Sequence, residues 1–313
     1  MMQMMLSFTG LIVLQSVFSL FMYLLCTKEA DVCGKIYRGF LLLLVSCGAA
    51  RIVSDRRGGS VETFGKILFL LTLIVAVADV VLLCFRFFRK KTREKAVGGK
   101  RNAGQIFGIV LFGILILLQI SVYVFYVPMD GARSMAEVGA MLKGNIAGEG
   151  LVRQLMALTV KLAGCKIGEA VCVIVPVWLL CNLQLLVVSV ASRLFPQESG
   201  KRILFLDLFA LCVLLADYDK RSVSAYVLHG LNLDKGVFYV LVLSGLIRFF
   251  VGRWRGKDIV FGVMDALLIV GSGLFLYRQA YLYLGFVAVA AGAYGLMVLL
   301  DRICRPKKEG RIC

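Results

Sequence analysis

Long apolar runs separated by short basic joints set the pattern of this chain. A hydrocarbon layer about 30 Å thick is crossed by about 20 helical residues. Runs of about that length occupy 4–26, 67–88, 106–127, 167–195, 259–277 and 281–300. Shorter ones lie at 37–53, 203–217 and 237–252, so nine spans are expected, with 222–234 as a candidate short tenth. In lipid, only helices and closed barrels satisfy every backbone polar group. The predicted fold class is therefore all-α, a polytopic membrane bundle of nine to eleven transmembrane or re-entrant helices.

The runs divide the chain. Residues 1–127 form an N-terminal membrane region to which the sequence assigns no role. The opening MMQMMLSFTG carries no basic n-region and reads as a retained first span rather than a removed signal. Residues 128–150, with glycines at 131, 139, 144, 148 and 150, read as a linker. In 151–166, Leu151, Leu155, Leu158 and Leu162 recur at helical spacing, with Arg153, Lys161 and Lys166 elsewhere. That pattern predicts an amphipathic helix, either interfacial or packed, and leaves the choice open. Residues 167–313 hold the remaining spans.

Charge changes the picture only through its placement. The net +17 is concentrated in joints such as RKKTREK (89–95), RWRGK (253–257) and RPKK (305–308). Basic joints between apolar spans are the mark of cytoplasmic loops, whereas a nucleic-acid surface would set basic residues among aromatics in a soluble domain. Nucleic-acid binding is excluded on that ground, and the expected location is a membrane, crossed several times. The ten cysteines show no metal spacing and there is one histidine, His229. No cofactor or metal is expected.

The chemistry is sought among acids at membrane depth, because an ionisable group costs roughly 2.5–3.5 kcal/mol at a bilayer centre and is kept there for a reason. Asp265 stands at the mouth of the run FGVMDALLIVGSGLFL. Asp217 closes the run LCVLLAD and is followed by a basic DKR. Two carboxylates at the ends of neighbouring spans could share a proton and a water, one acting as acid while the other activates the water. Asp79 and Asp207 are further acids inside apolar runs, read as lining an ion path or as paired with arginine, with structural pairing or a supporting role behind the site favoured for Asp207.

The spacing of these residues resembles the type IV prepilin peptidases, aspartic proteases of the membrane. Asp217 is followed by Val223 and Ser224, similar to the family's D-x5-I-[PS] element. Gly262-Val263-Met264-Asp265 stands where the family has G-x-G-D, and Gly273 with LFL follows where it has G-[LI]-[FY]-L. The resemblance covers roughly residues 200–313 and is nearest to the short subgroup serving tight-adherence (Flp-type) pili. It implies Asp217 and Asp265 as the catalytic pair, no cofactor, and the bacterial cytoplasmic membrane as the location. The implied partners are a prepilin-like substrate cut at the cytoplasmic face, the lipid bilayer, and pilus or secretion machinery. Met264 replaces the second glycine of the motif, and Leu267 and Ser224 replace a frequent lysine and proline. Those departures motivate an alternative, a catalytically degenerate membrane component of a pilus or secretion assembly. A small-solute transporter is the third reading.

One expectation concerns sidedness. Asp217 ends a span and Asp265 begins one, so a shared face requires an even number of crossings between them. With 237–252 crossing, 222–234 must insert as well, as a short span or a re-entrant piece. DKR, RWRGK and RPKK then share the basic side, and RKKTREK falls on the other side unless 128–166 adds a crossing.

Overall fold

The computed structural model describes residues 2–26, 31–88, 103–125, 128, 130–144, 150–215, 223–255, 259–276 and 288. Among them every regular element is helical and there is no strand. Four long helices come first: α1 (Met2–Leu25), α2 (Val32–Arg56), α3 (Val61–Phe88) and α4 (Ala103–Phe125). Two shorter ones follow, α5 (Gly131–Leu142) and α6 (Leu151–Ala163). A continuous rod is then built from α7 (Ile167–Glu169), a π-turn at Ala170–Ile174 and α8 (Val175–Leu194). After it come α9 (Ser199–Leu215), α10 (Val223–His229), a second rod and α13 (Ile259–Leu276). The second rod joins α11 (Asp234–Val237), a π-turn at Phe238–Leu243 and α12 (Ser244–Arg255). Five helices are long and apolar enough to cross a membrane: α1, α2, most of α3, most of α4, and the rod Ile167–Leu194.

Local chemistry explains several boundaries. Asp31 caps α2 by accepting the Gly34 N–H at 2.8 Å, so this helix starts well before the apolar stretch 37–53. It ends where Gly58 and Gly59 take φ of 97° and 68°, a left-handed region that glycine enters without a Cβ penalty. Val61 then starts α3 going back the other way. In the long rod, Pro176 has no N–H to return to the preceding turn, and the winding loosens into the π-turn just before it.

Contacts along the rods fix their directions. Gln105 at the start of α4 meets Ser199 at the start of α9, and Gln119 further along α4 donates to the Ala210 carbonyl of α9. These two helices run parallel. A Cβ on Gly48 would strike Phe275, and Arg38 meets Asp265, so α2 and α13 are parallel too. Asp31 at the start of α2 lies against Ser189 and Arg193 at the end of α8. One end of the bundle thus gathers the starts of α2, α4, α9 and α13 and the ends of α3, α8 and α12. The opposite end carries α5, α6 and α10: Lys161 of α6 reaches Glu62 at the start of α3, and Tyr123 near the end of α4 donates to the Val227 carbonyl of α10.

This arrangement corrects two expectations. Helix α10 has seven residues, about 10 Å at 1.5 Å per residue, so 222–234 does not traverse the bundle. The end of α3, the start of α4 and the end of α12 share one end of the bundle without any crossing contributed by 128–166, while RKKTREK itself lies outside the described residues. The linker also contains a helix, α5, and α6 is a packing helix: Leu151, Leu155 and Leu158 are buried while Leu162 is 78% exposed. The DKR and RPKK segments and the run 281–300 lie outside the described residues.

The core runs along α8. Trp178 is buried and meets Phe40 edge-on with ring centroids 5.4 Å apart. Its indole N–H donates to Gln15 Oε1 at 2.6 Å, and Asn182 completes a three-residue polar knot between α1 and α8. On α3, Phe69, Leu73, Ile74 and Val77 are exposed, as an outer face toward lipid requires.

A buried ionic cluster at the basic end

Asp265 sits in the second turn of α13 and is 2% exposed. Its carboxylate is held by two arginines. Arg38 of α2 binds it through two bonds, Nε to Oδ1 and Nη2 to Oδ2, the second at 2.9 Å. Arg248 of α12 donates from Nη1 to Oδ2 at 3.0 Å. Both arginines are 1% exposed. The fork of a guanidinium matches the two oxygens of a carboxylate, which makes this one of the stronger pairings a protein offers.

The cluster extends to a second acid. Arg248 Nε donates to Ser189 Oγ at 2.7 Å, and Ser189 in turn donates to Asp31 Oδ2. Asp31 also lies 3.6 Å from Arg248 Nη2 and 3.4 Å from Arg193 Nε. Three arginines and two aspartates from α2, α8, α12, α13 and the loop before α2 therefore meet in one network. Gly34 makes it fit: a Cβ there would collide with the Arg248 guanidinium and with Asp31.

The residues singled out from the sequence fall in different places. Asp265 is the heart of the cluster. Asp217 lies outside the described residues. Leu215, the last described residue before it, ends α9 at the end of the bundle away from the start of α13. Val223 and Ser224 open α10 at that same far end. Gly262 lies in the first turn of α13, Met264 packs beside the apolar core, and Gly273 is buried two turns beyond Asp265. Among the described residues Asp207 Oδ1 has no hydrogen-bond partner, and its other oxygen faces Gly108 of α4. Asp79 is 3% exposed with Oδ1 likewise unpartnered. His229 is the last residue of α10. Among the described residues no three His, Cys, Asp or Glu side chains converge as metal ligands.

Arg38 and Arg248 are the residues that sequence reasoning missed. Each interrupts an apolar stretch, KIYRGFLLLL and GLIRFFVG. An acid at membrane depth calls for a buried cation, but Arg51 and Arg86 also stand between apolar neighbours, so local sequence alone did not single out these two. No protein-family model matches the chain, and no curated protein or solved structure is significantly similar to it.

Proposed function

We propose that this chain is a multi-pass protein of the bacterial cytoplasmic membrane, akin to the prepilin peptidases, that engages a pilin-like or secretion partner without hydrolysing it. The observation that carries the reading is the occupation of both Asp265 oxygens by Arg38 and Arg248 at 2% exposure. An aspartic protease needs a carboxyl group that takes up and releases a proton and touches the attacking water. Three bonds from two fixed guanidiniums at 2% exposure take most of this carboxylate's accepting positions and work against seating an attacking water on it. Met264 in the place of the motif's second glycine supports the same reading. The basic joints RKKTREK and RWRGK, which follow α3 and lie at the end of α12 in the sequence, support a cytoplasmic side for that end. The five helices long and apolar enough to cross, the shorter rods beside them and the apolar run 281–300 support a reading of nine spans.

The spacing of Asp217, Val223, Asp265 and Gly273 favours a second reading, an active peptidase. Co-expression with a Flp-type prepilin separates the two. On the first reading the precursor stays full length and co-purifies with the wild-type chain. Processing by wild type that disappears in Asp265→Asn would overturn it in favour of the peptidase.

A further inference from the structure

The rod 234–255 is wound with a π-turn at Phe238–Leu243. Such a turn carries one extra residue and leaves carbonyls short of a helical partner. Here Tyr37 of α2 braces the turn: its hydroxyl donates to the Leu241 carbonyl at 2.7 Å, with both groups buried, beside the Ser244 N–H that the same carbonyl accepts. Gly245 follows, and a Cβ at that position would lie 2.5 Å from the Tyr37 hydroxyl. Arg248 comes next along the rod, with its guanidinium 6.0 Å from the Tyr37 ring centroid and its Nη1 on Asp265. Two consecutive residues of α2 therefore act on one device. Tyr37 holds the π-turn and Arg38 holds the carboxylate toward which that turn aims Arg248.

A π-turn has two ways to be lost, by reverting to α-winding or by passing its extra residue along the helix. Either one rotates the side chains beyond it by about 100° around the axis, one residue's share of a helical turn. Arg248 has 1% exposure and three partners on α13, α8 and the loop before α2. A rotation of that size would carry its guanidinium off all three. Packed interfaces of this kind switch between discrete arrangements rather than deform smoothly.

We propose that the π-turn at 238–243 is a two-position latch: with Tyr37 bonded to Leu241, Arg248 closes Asp265, and with the turn resolved, Arg248 swings away and opens it. The latch stands apart from whether the chain cleaves a precursor, because its readout is the state of one carboxyl group.

The test uses the full-length protein in its native membranes and dicyclohexylcarbodiimide, an apolar reagent that modifies neutral carboxyl groups. The peptide bearing Asp265 is quantified by mass spectrometry. An Arg38→Met background leaves Arg248 as the arginine acting on Asp265, and little modification is expected there. Adding Tyr37→Phe should raise modification at least about tenfold, as the loss of a charge-assisted hydrogen bond implies, toward the level of Arg38→Met/Arg248→Met. Deleting Val242 in the Arg38→Met background, which removes the extra residue, should reach the same level. Asp79 on α3, which does not touch the rod, should stay at its starting level throughout. The latch is overturned if Tyr37→Phe and the deletion both leave Asp265 at the Arg38→Met level while Arg38→Met/Arg248→Met is modified. It is equally overturned if Arg38→Met alone is already fully modified, or if Asp79 rises in step with Asp265.

Discussion

Arg38 and Asp265 stand 227 positions apart and meet in a buried two-bond ion pair. The pair ties α2, in the first part of the chain, to α13, in the last, so the N-terminal region is a structural half of the candidate site.

Removing one member leaves the other charged and uncompensated, which costs about 3–5 kcal/mol for a buried pair. Asp265→Ala is expected to lower thermal stability in detergent by that amount. Arg38→Met/Asp265→Leu should recover much of the loss, because replacing a whole buried pair with apolar groups is often near neutral. A double-mutant cycle on the melting curves measures the coupling. Additive losses would show that the pair does not act as a unit.

Asp234 predicts a pH dependence. Its carboxylate accepts the N–H groups of Leu151 and Val152, at 3.0 and 2.8 Å, and so caps α6 from the start of α11. Burial pushes its pKa from 3.8 up to about 6, against the lowering pull of the Val152 N–H and of Arg51 and Arg153. An acid whose pKa is raised on folding stabilises the fold when protonated. That contribution is complete below about pH 3.8 and is lost as the pH rises through about 6. Asp234→Asn should flatten the stability profile over that window, while Asp234→Ala should cost about 1–2 kcal/mol by uncapping α6.

Gly39 allows α2 to lie directly on α1. A Cβ there would run into the backbone of Ser19, the close approach that small residues permit between membrane helices. Gly39→Ala should force the two helices apart and cost about 1–3 kcal/mol. Gly10→Ala, where a Cβ would meet nothing within 4 Å, serves as the neutral control in the same melting assay.

The knot between α1 and α8 should be sensitive to losing a single member. Gln15 is the shared partner of Trp178 and Asn182, so Gln15→Leu strands two buried polar groups. The expected loss is about 1–3 kcal/mol, against a smaller loss for Gln15→Glu/Asn182→Lys if the two charges pair. An equal loss in both variants would mean that apolar packing, not the hydrogen bonds, holds this joint.

How much of this was legible beforehand depended on the range of the interaction. The apolar runs gave α1, α3, α4 and the rod at 167–194 closely, because length in a bilayer is a local property. The stretch 37–53 understated α2, since its first turns contain Lys35 and Arg38, charges that are 4% and 1% exposed through contacts with other helices. Asp265 was visible as an acid out of place. Its partners were not, because neither local spacing nor hydropathy encodes which arginine meets it across 227 positions. The segment 222–234 shows the same limit: its apolar residues pack against α4 and α9, where Tyr123 reaches Val227, and its seven-residue helix is too short for the short-span alternative.

The distance along the chain between Arg38 and Asp265 has a consequence for biosynthesis. Arg38 emerges from the ribosome with the second helix, and the carboxylate that neutralises it is 227 residues behind. At about 5–20 residues per second, that is tens of seconds in which a helix carrying a lone arginine must wait in or beside the bilayer. The insertion cost of such a residue, about 2.5–3.5 kcal/mol, falls on the early helices alone. The Arg38–Asp265 pair therefore closes late, when α13 arrives, and until then α2 is seated by its packing on α1 at Gly39 and Ser19 rather than by that charge.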